Sequence, residues 1–323
     1  RGATILTIGG LTTPFFLYLY KMLINFEDQI NKLKDIRQGK VSEGLRLGYD
    51  RLDNHFRLVY GNLNFILGHA NTGKTHLVIY LMFLYSLKHG VRWLIFSSEN
   101  EPYALIRKII EFAEGKPINK IETEDFEKQY KWVYNHFKFV DTEKTYTYRE
   151  LLELATNIKK AWNYQGFMID PMNSLKKDIP KNSNSYEYAY ESLSDIRIFC
   201  KKHNITTWIC VHAVTEALRK KHPKGHYYEG HPIAPMASDS EMGGMSMNRA
   251  DDFLIIHRMV YHETDWMYSN MYTAKVKNQE LGYKPTSLED PLKFKSILNN
   301  VGFEIDGKNL VTYKTKEQTE VPF

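Results

Sequence analysis

The octapeptide from Gly68 to Thr75, Gly-His-Ala-Asn-Thr-Gly-Lys-Thr, constrains this chain more than any other feature. It matches the pattern G-x-x-x-x-G-K-[ST] and stands between an apolar run, Leu63–Leu67, and a long helical pattern. In that context the loop N–H groups and the helix N-terminus form a cradle for phosphate. Lys74 is expected to reach the outer phosphates of a nucleoside triphosphate, and Thr75 to hold Mg²⁺. The predicted phosphate loop comprises Gly68, His69, Ala70, Asn71, Thr72, Gly73, Lys74 and Thr75.

Short apolar runs alternate with helical patterns through most of the chain. The predicted strands are Leu63–Leu67, Arg92–Ser97, Phe137–Asp141, Phe167–Asp170, Thr206–His212, Phe253–His257 and Met271–Lys277. The predicted helices between them are Thr75–His89, Pro102–Glu114, Phe126–Tyr134, Tyr148–Trp162 and Tyr186–His203. This alternation predicts an α/β fold with a mainly parallel twisted sheet and helices on both faces. The tail from Phe294 to Tyr313 predicts short strands with a turn at Asp306-Gly307, a small antiparallel extension.

The chain is expected to divide into three parts. Residues 1–21 are an uncertain extension, because glycines and a proline interrupt their apolar stretch and make it a poor membrane span. Residues 22–43 carry an amphipathic helix, Leu23–Arg37, whose apolar residues lie three or four positions apart. Such a short helix is marginal alone, so its apolar stripe is expected to pack on a partner surface, for instance another subunit. Residues 44–323 form the α/β domain.

Composition bounds the class of protein. Hydrophobic residues make up 43% and charged residues 25% of the 323, which excludes a disordered or fibrous chain. The net charge of +5 permits an anionic partner without requiring one. The two cysteines, Cys200 and Cys210, match neither a disulfide framework nor a metal pattern, so a reducing compartment, the cytoplasm, is expected, with no membrane role.

Two acids stand where predicted strands end. Phe167-Met-Ile-Asp170 is an apolar strand ending in a carboxylate, which suits the acid that orients Mg²⁺ beside a phosphate loop. Ile95-Phe-Ser-Ser-Glu99 places a second carboxylate at the same edge, where α/β folds bind ligands. Glu99 is the candidate general base, with an ordinary loop acid as the alternative. Glu101 more simply stabilises the start of the helix at Pro102.

A polar residue and a basic loop follow a further strand. His212 ends Trp208-Ile-Cys-Val-His, on the same edge as Asp170, and can sense a γ-phosphate and signal to the next loop. That loop holds the most basic stretch of the sequence, Arg219–His226, which suits a phosphate backbone; a solvated run of charge is the alternative. The cations predicted to bind nucleic acid are Arg219, Lys220, Lys221 and Lys224, with a weaker patch of Lys176 and Lys177.

The succession of these motifs resembles the RecA-like ATPase domain of ring-shaped replicative helicases, the DnaB-type, phage primase–helicase and mitochondrial enzymes. Gly48–Asp53 looks like the family's G-x-x-x-L-D segment, and Phe96–Glu99 like the strand end that carries its catalytic carboxylate. The stretches 229–232 and 241–244 look like those that lead into the next helix of the phage enzymes, and Ile255–Arg258 like the family's strand ending in arginine.

This resemblance covers about Gly44 to Asp306 and carries expectations of its own. It implies an ATP-dependent DNA helicase that moves 5′→3′ on single-stranded DNA, built as a ring of six copies with ATP and Mg²⁺ between neighbours. The helix of residues 22–43 takes the place of the linker helix that docks on the next subunit. Because no accessory domain precedes it, a separate primase or loader is an expected partner, and a phage source, with host cytoplasm, is slightly favoured.

One departure concerns the arginine finger. The family places it in a Lys-x-Arg segment on a late strand, whereas the corresponding stretch here, Lys275–Glu280, contains no arginine. Depending on the alignment, the position holds Lys277 or Gln279. Lys277 is the preferred substitute because it keeps the positive charge, although it lacks the guanidinium fork. Arg258 is the fallback.

Two other functions stay open. The same fold serves RecA- or KaiC-like ATPases that act in recombination or regulation. The missing arginine also permits a nucleotide-binding assembly module that hydrolyses little ATP.

Overall fold

The computed structural model describes residues 24–40, 43–297 and 300–311. It divides the chain into two compact units, Arg1–Glu43 and Gly44–Phe323. Expectations for residues 1–21, for Leu23 and for the tail beyond Val311 lie outside the described residues.

The described residues of the first unit form helix α1 (Phe26–Arg37). Asn25 caps it, since its side-chain oxygen accepts a hydrogen bond from the Glu27 N–H at 3.0 Å. Acids occupy its first turn and bases its last turn, which complements the helix dipole. The apolar stripe of α1 is exposed: Phe26, Leu33 and Ile36.

In its described residues, the second unit is built on a ten-stranded sheet in the order β10-β9-β8-β7-β6-β1-β5-β4-β2-β3. The strands are β1 (Leu63–Gly68), β2 (Trp93–Ser97), β3 (Phe137–Phe139), β4 (Gly166–Asp170), β5 (Thr206–His212), β6 (Asp252–Arg258), β7 (Tyr268–Val276), β8 (Leu292–Ile297), β9 (Gly302–Ile305) and β10 (Lys308–Asn309). The six strands from β6 to β3 are parallel, and β7 to β10 continue the sheet antiparallel. The predicted α/β class and the antiparallel C-terminal extension are confirmed.

Helices cover both faces of this sheet. They are α2 (Asp50–Asp53), α3 (Lys74–His89), α4 (Pro102–Glu114), α5 (Thr123–His136), α6 (Tyr148–Ala161), α7 (Ser185–His203) and α8 (Gly244–Arg249). Alternate strand residues face opposite cores: Ile66 packs with the α3, α4 and α5 side, and Phe65 and Leu67 pack with the α6, α7 and α8 side. No helix in the described ranges combines the length and apolar character that a membrane crossing needs.

Some element boundaries differ from the sequence prediction. The third strand stops at Phe139 because Asp141 turns the chain: its side chain accepts a hydrogen bond from the Glu143 N–H at 2.9 Å. Strand β7 begins at Tyr268, before the predicted start, because Tyr268 pairs with Lys295 of β8 and Ser269 pairs with Arg258 of β6. The capping box predicted at Thr147 and Glu150 is present at the start of α6.

Candidate active site

Four neighbouring parallel strands bring several of the predicted site residues to one edge of the sheet. The register pairs Gly68 of β1 with His212 of β5, and Ser97 of β2 with Asp170 of β4. Strands β1, β5, β4 and β2 are adjacent in that order, so their carboxyl ends form a continuous row. This carboxyl edge is where open α/β sheets bind ligands.

The phosphate loop follows β1 and opens α3. A Cβ added at Gly68 would lie 2.7 Å from the Ile256 carbonyl oxygen, so only glycine allows the loop to start against β6. Gly73 caps α3 with φ of 78°, in the left-handed region that favours glycine. The two glycines of the motif therefore serve different backbone requirements, and the loop N–H groups lie at the helix N-terminus that anions favour.

Lys74 extends from the first turn of α3 across the strand ends. Its buried ammonium donates to the Val211 carbonyl at 3.1 Å and lies 3.5 Å from His212 Nδ1. The charge therefore lies between the phosphate loop and the end of β5, where it can reach a phosphate oxygen.

Asp170 is fully buried beneath Thr75 and Ser97. Both hydroxyls donate to its Oδ2, Thr75 at 3.1 Å and Ser97 at 3.3 Å. No N–H or O–H donor among the described residues reaches its Oδ1. Burial raises the pKa of Asp170, Lys74 nearby lowers it, and Glu99 raises it further.

These oxygens fit the Mg²⁺ ion that the motif implies. Mg²⁺ prefers hard oxygen ligands and usually binds through one or two protein side chains together with substrate phosphates and water. The Thr75 hydroxyl and the Asp170 carboxylate supply such oxygens beside the phosphate loop. Within the described ranges, no cluster of three or more His, Cys, Asp or Glu side chains could hold a metal ion by itself, so phosphate oxygens would complete the coordination.

Glu99 and His212 meet across the row of strand ends. His212 Nε2 lies 2.9 Å from Glu99 Oε1, and because a carboxylate only accepts, the Nε2 atom carries the proton. His212 Nδ1 then faces Lys74. The structure thus joins the predicted cation, the predicted sensor and the predicted base in one chain of contacts, with the Glu99 side chain facing solvent.

Arg258 lies beside the phosphate loop of its own chain. A Cβ added at Gly73 would lie 3.6 Å from an Arg258 guanidinium nitrogen. Arg258 donates through Nε to the Trp266 carbonyl, and its guanidinium lies 5.6 Å from the Trp266 ring centroid. Burial lowers its pKa from the usual arginine value. This position suits contact with a ligand of the same subunit.

Lys277 lies at the opposite edge of the sheet. Its ammonium donates to Asp251 Oδ1 at 2.8 Å, and Arg197 donates to the same oxygen at 2.7 Å. The neighbouring Lys275 donates to backbone carbonyls at the end of α8. The structure therefore does not bring Lys277 to the carboxyl-edge residues of its own chain.

The predicted basic loop is an ordered excursion from β5. Two backbone hydrogen bonds close its base: the Val214 N–H donates to the Asp239 carbonyl, and the Glu241 N–H donates to the His212 carbonyl. Lys220 donates to the Asp239 carboxylate at 2.7 Å, so this lysine anchors the loop. The remaining predicted cations are exposed: Arg219, Lys221, Lys224, Lys176 and Lys177.

Sequence reasoning missed several contributors. Ser97 contacts Asp170, and Asn100 donates to Ser97 at 3.2 Å, which extends the polar row along β2. Strand adjacency would have indicated Ser97, since it precedes Glu99 at a strand end. No sequence signal pairs Lys277 with Asp251 or Arg258 with Trp266, because each pair depends on how two separate segments fold together.

No family model matches the chain. Over 248 residues it is 25% identical to the Twinkle homolog protein, chloroplastic/mitochondrial, of Arabidopsis thaliana, an alignment that covers 72% of this chain. The chain spans about a third of that relative's length, 33%.

Solved structures share the fold at low identity. One is the structure of a DnaB-like replicative helicase and its interactions with primase. It superposes with a TM-score of 0.65 and 15% identity, and the match covers 87% of this chain and 66% of that one. A second structure, of an ATPase domain, gives 0.66 and 14% over 86% of this chain and 96% of that one. KaiC-like protein PH0186 of Pyrococcus horikoshii gives 0.53 and 16%, covering 82% and 97%. The RecA-like fold and the resemblance to replicative-helicase ATPase domains are confirmed.

Proposed function

We propose that this chain is the motor domain of an ATP-dependent DNA helicase. The observation that carries the proposal is that two sets of contacts start from the neighbouring residues Lys74 and Thr75. Thr75 donates to Asp170, and Lys74 lies against His212, which in turn contacts Glu99. A triphosphate in the loop would be met by a cation, a metal-binding oxygen pair and a carboxylate at one strand edge, which is the set that phosphoryl transfer to water requires.

Each residue has a proposed task in hydrolysis. Lys74 and the loop N–H groups bind the triphosphate, and Thr75 and Asp170 hold Mg²⁺, which when bound neutralises charge on the phosphates. Glu99 accepts a proton from the attacking water, a task its solvent-facing carboxylate suits. His212 contacts both Lys74 and Glu99, so it can respond when the terminal phosphate leaves.

The basic loop is the proposed grip on single-stranded DNA. It leaves the sheet directly after His212, and its exposed cations can neutralise phosphates of a strand. Lys176 and Lys177 lie exposed after Asp170 and extend the same proposal to a second loop. The DnaB-like structure is described as that of a replicative helicase, and 5′→3′ movement is proposed here from the resemblance.

A ring of six copies is the proposed assembly, with a separate primase or loader as partner. The support is α1, whose apolar residues Phe26, Leu33 and Ile36 are exposed. Packing that stripe on the next subunit would bury it. Mass photometry of the full chain tests this: Phe26→Asp with Leu33→Asp should shift rings to monomers, whereas the exposed control Lys34→Asp should not.

The trans-acting cation is proposed to be Lys277. Its side chain is partly exposed while Asp251 holds its ammonium, so it is anchored at a surface that a neighbour can approach. Arg258, which lies near its own Gly73, is proposed to contact the nucleotide in the same subunit. The cytoplasmic location stays a prediction from the two cysteines.

Steady-state ATP hydrolysis with and without single-stranded DNA tests the proposed function. The native chain should be stimulated by DNA, and Lys221→Ala with Lys224→Ala should weaken DNA binding and reduce its log–log salt slope by about 1.4. These two lysines are chosen because replacing Lys220 would also release Asp239. Exposed lysines on α5 provide the control, Lys128→Ala with Lys131→Ala.

The outcomes separate the candidate functions. ATP turnover that ignores DNA would overturn the helicase proposal and favour a KaiC-like regulatory ATPase, which the likeness to PH0186 supports. Tight ATP binding with negligible turnover would indicate an assembly module. Forked DNA with only a 5′ or only a 3′ tail tests the direction of movement.

A further inference from the structure

Two buried histidines connect the phosphate loop to the basic loop. His69, the second residue of the phosphate loop, and His257, near the end of β6, are 3% and 1% exposed. Their ring centroids lie 6.0 Å apart with the planes at 73°, an edge-to-face contact. The close approach of Gly68 to the Ile256 carbonyl fixes the backbone on both sides of this contact.

His257 also holds the far side of the basic loop. Its Nε2 lies 3.1 Å from the Pro232 carbonyl, and since a carbonyl only accepts, Nε2 carries the proton. Burial lowers the pKa of His257 to about 4, so the ring is neutral at physiological pH and keeps this donor. Pro232 in turn pairs with Lys221, one of the exposed cations of the loop.

Backbone hydrogen bonds make this part of the loop a stiff hairpin. The His222 N–H donates to His231 at 3.0 Å, and the Ile233 N–H donates to Lys220 at 2.9 Å. The Pro232 side of the basic hairpin is therefore held by His257, which packs on His69 of the phosphate loop.

We propose that the His69–His257 pair positions the basic hairpin, residues 219–233, relative to the phosphate loop, so that nucleotide in the loop changes the order of the hairpin that grips a polyanionic strand. That the hairpin binds such a strand rests on the proposed function. His257 is a positioning residue: it contacts the phosphate loop through His69 and acts on the hairpin through Pro232. The route from the phosphate loop to the hairpin through His69 and His257 is separate from the route through Lys74 and His212.

Hydrogen–deuterium exchange with Mg²⁺ and the non-hydrolysable analogue AMP-PNP tests the proposal without DNA. In the native chain AMP-PNP should slow exchange of the His222, Gly230 and Ile233 amides by about 5-fold or more. In His257→Phe, which keeps a ring but has no N–H, that slowing should drop below about 2-fold, while slowing at phosphate-loop amides persists. Basal ATP turnover should stay within about 2-fold.

Conservative variants separate positioning from simple packing. His257→Gln carries an amide that reaches the place of Nε2 and should restore the response, whereas His257→Asn, one methylene shorter, should not. If the Phe variant does not fold, the difference between the Gln and Asn variants in AMP-PNP-induced slowing still tests the proposal. His89→Phe removes a similar Nε2 contact to a backbone carbonyl, that of Arg46 at 2.7 Å, and should respond as the native chain does.

Three results would overturn the proposal: hairpin amides that ignore AMP-PNP in the native chain, a His257→Phe variant that responds fully, or Gln and Asn variants that behave alike. Failure of the proposed function has a different signature, since a native chain that does not bind DNA leaves the exchange result unchanged.

Discussion

The two edges of the sheet hold similar charged side chains but satisfy them to different degrees. At the carboxyl edge, Asp170 Oδ1 has no N–H or O–H donor in the described part of the chain, and Glu99 faces solvent. At the opposite edge, Asp251 accepts hydrogen bonds from Arg197, Lys277 and the Leu63 N–H at 2.7 to 2.9 Å.

This contrast indicates which charges stabilise the fold and which can bind a ligand. A buried carboxylate whose oxygens all accept hydrogen bonds from its own chain has no free acceptor for a ligand, and removing a partner would leave an unpaired buried charge that costs stability. A buried carboxylate with an open oxygen keeps capacity for a metal ion or a substrate. The carboxyl edge therefore has the capacity for chemistry, and the opposite edge holds the strands together.

Replacing Lys74 tests the carboxyl edge most strongly. Lys74→Ala removes the only cation that contacts both the end of β5 and the His212 ring among the described residues, so ATP turnover should fall by about 10³-fold. Steady-state phosphate release measures it, with Lys128→Ala as the control. Turnover within a few-fold of native would place the chemistry elsewhere.

Replacing Glu99 separates chemistry from binding. Glu99→Gln keeps the shape and the contact to His212 but cannot take a proton, so turnover should fall by about 10²-fold while ATP affinity stays close to native. Phosphate release and equilibrium nucleotide binding check the two quantities. The nearby Glu101→Gln is the matched control, because Glu101 only precedes α4. Equal losses in both variants would reject Glu99 as the base.

Replacing Lys277 tests whether the opposite edge, where Asp251 has its full set of partners, is only structural. If its ammonium serves a neighbouring subunit, Lys277→Ala should lower turnover by about 10-fold or more, less than an arginine finger because a lysine has no fork. Exposed Lys293→Ala on β8 is the control. Rescue of Lys277→Ala subunits by mixing with Lys74→Ala subunits would show action between subunits. No loss of turnover would make Lys277 a partner of Asp251 alone.

Asp252, also at the opposite edge, is predicted to make the stability of the fold depend on pH. It accepts hydrogen bonds from Tyr283 and Asn62, and burial raises its pKa to about 7. The folded state therefore holds a proton that the unfolded state has lost, and between about pH 4 and 7 the free energy of unfolding falls as pH rises. Asp252→Asn should flatten this slope and stabilise the fold at pH 8 by about 1–2 kcal/mol.

Urea unfolding at pH 5 and pH 8 measures that change. Asp141→Asn is the control, since this exposed acid makes only a local turn and an amide oxygen can replace its acceptor. A native chain with equal stability at both pH values would contradict the raised pKa of Asp252.

Local patterns determined much of this protein. The phosphate loop, the capping box at Thr147, the span of β5 and the strand ends carrying Asp170 and His212 all follow from neighbours in sequence, because hydrogen-bonding and side-chain periodicity act over a few residues. Parallel strands bring their carboxyl ends to one edge, so the meeting of Glu99, Asp170 and His212 could also be expected.

Only the tertiary structure decided the partners of side chains that meet from distant segments. Lys277 pairs with Asp251 because β7 runs antiparallel to β6, which the strand pattern did not specify. His69 meets His257 because β6 lies directly beside β1. Such contacts depend on strand order and on ångström-scale packing, which no local residue preference encodes. They distinguish the carboxyl edge of the sheet, where a buried oxygen lacks a donor, from the opposite edge, where Asp251 has its full set of partners.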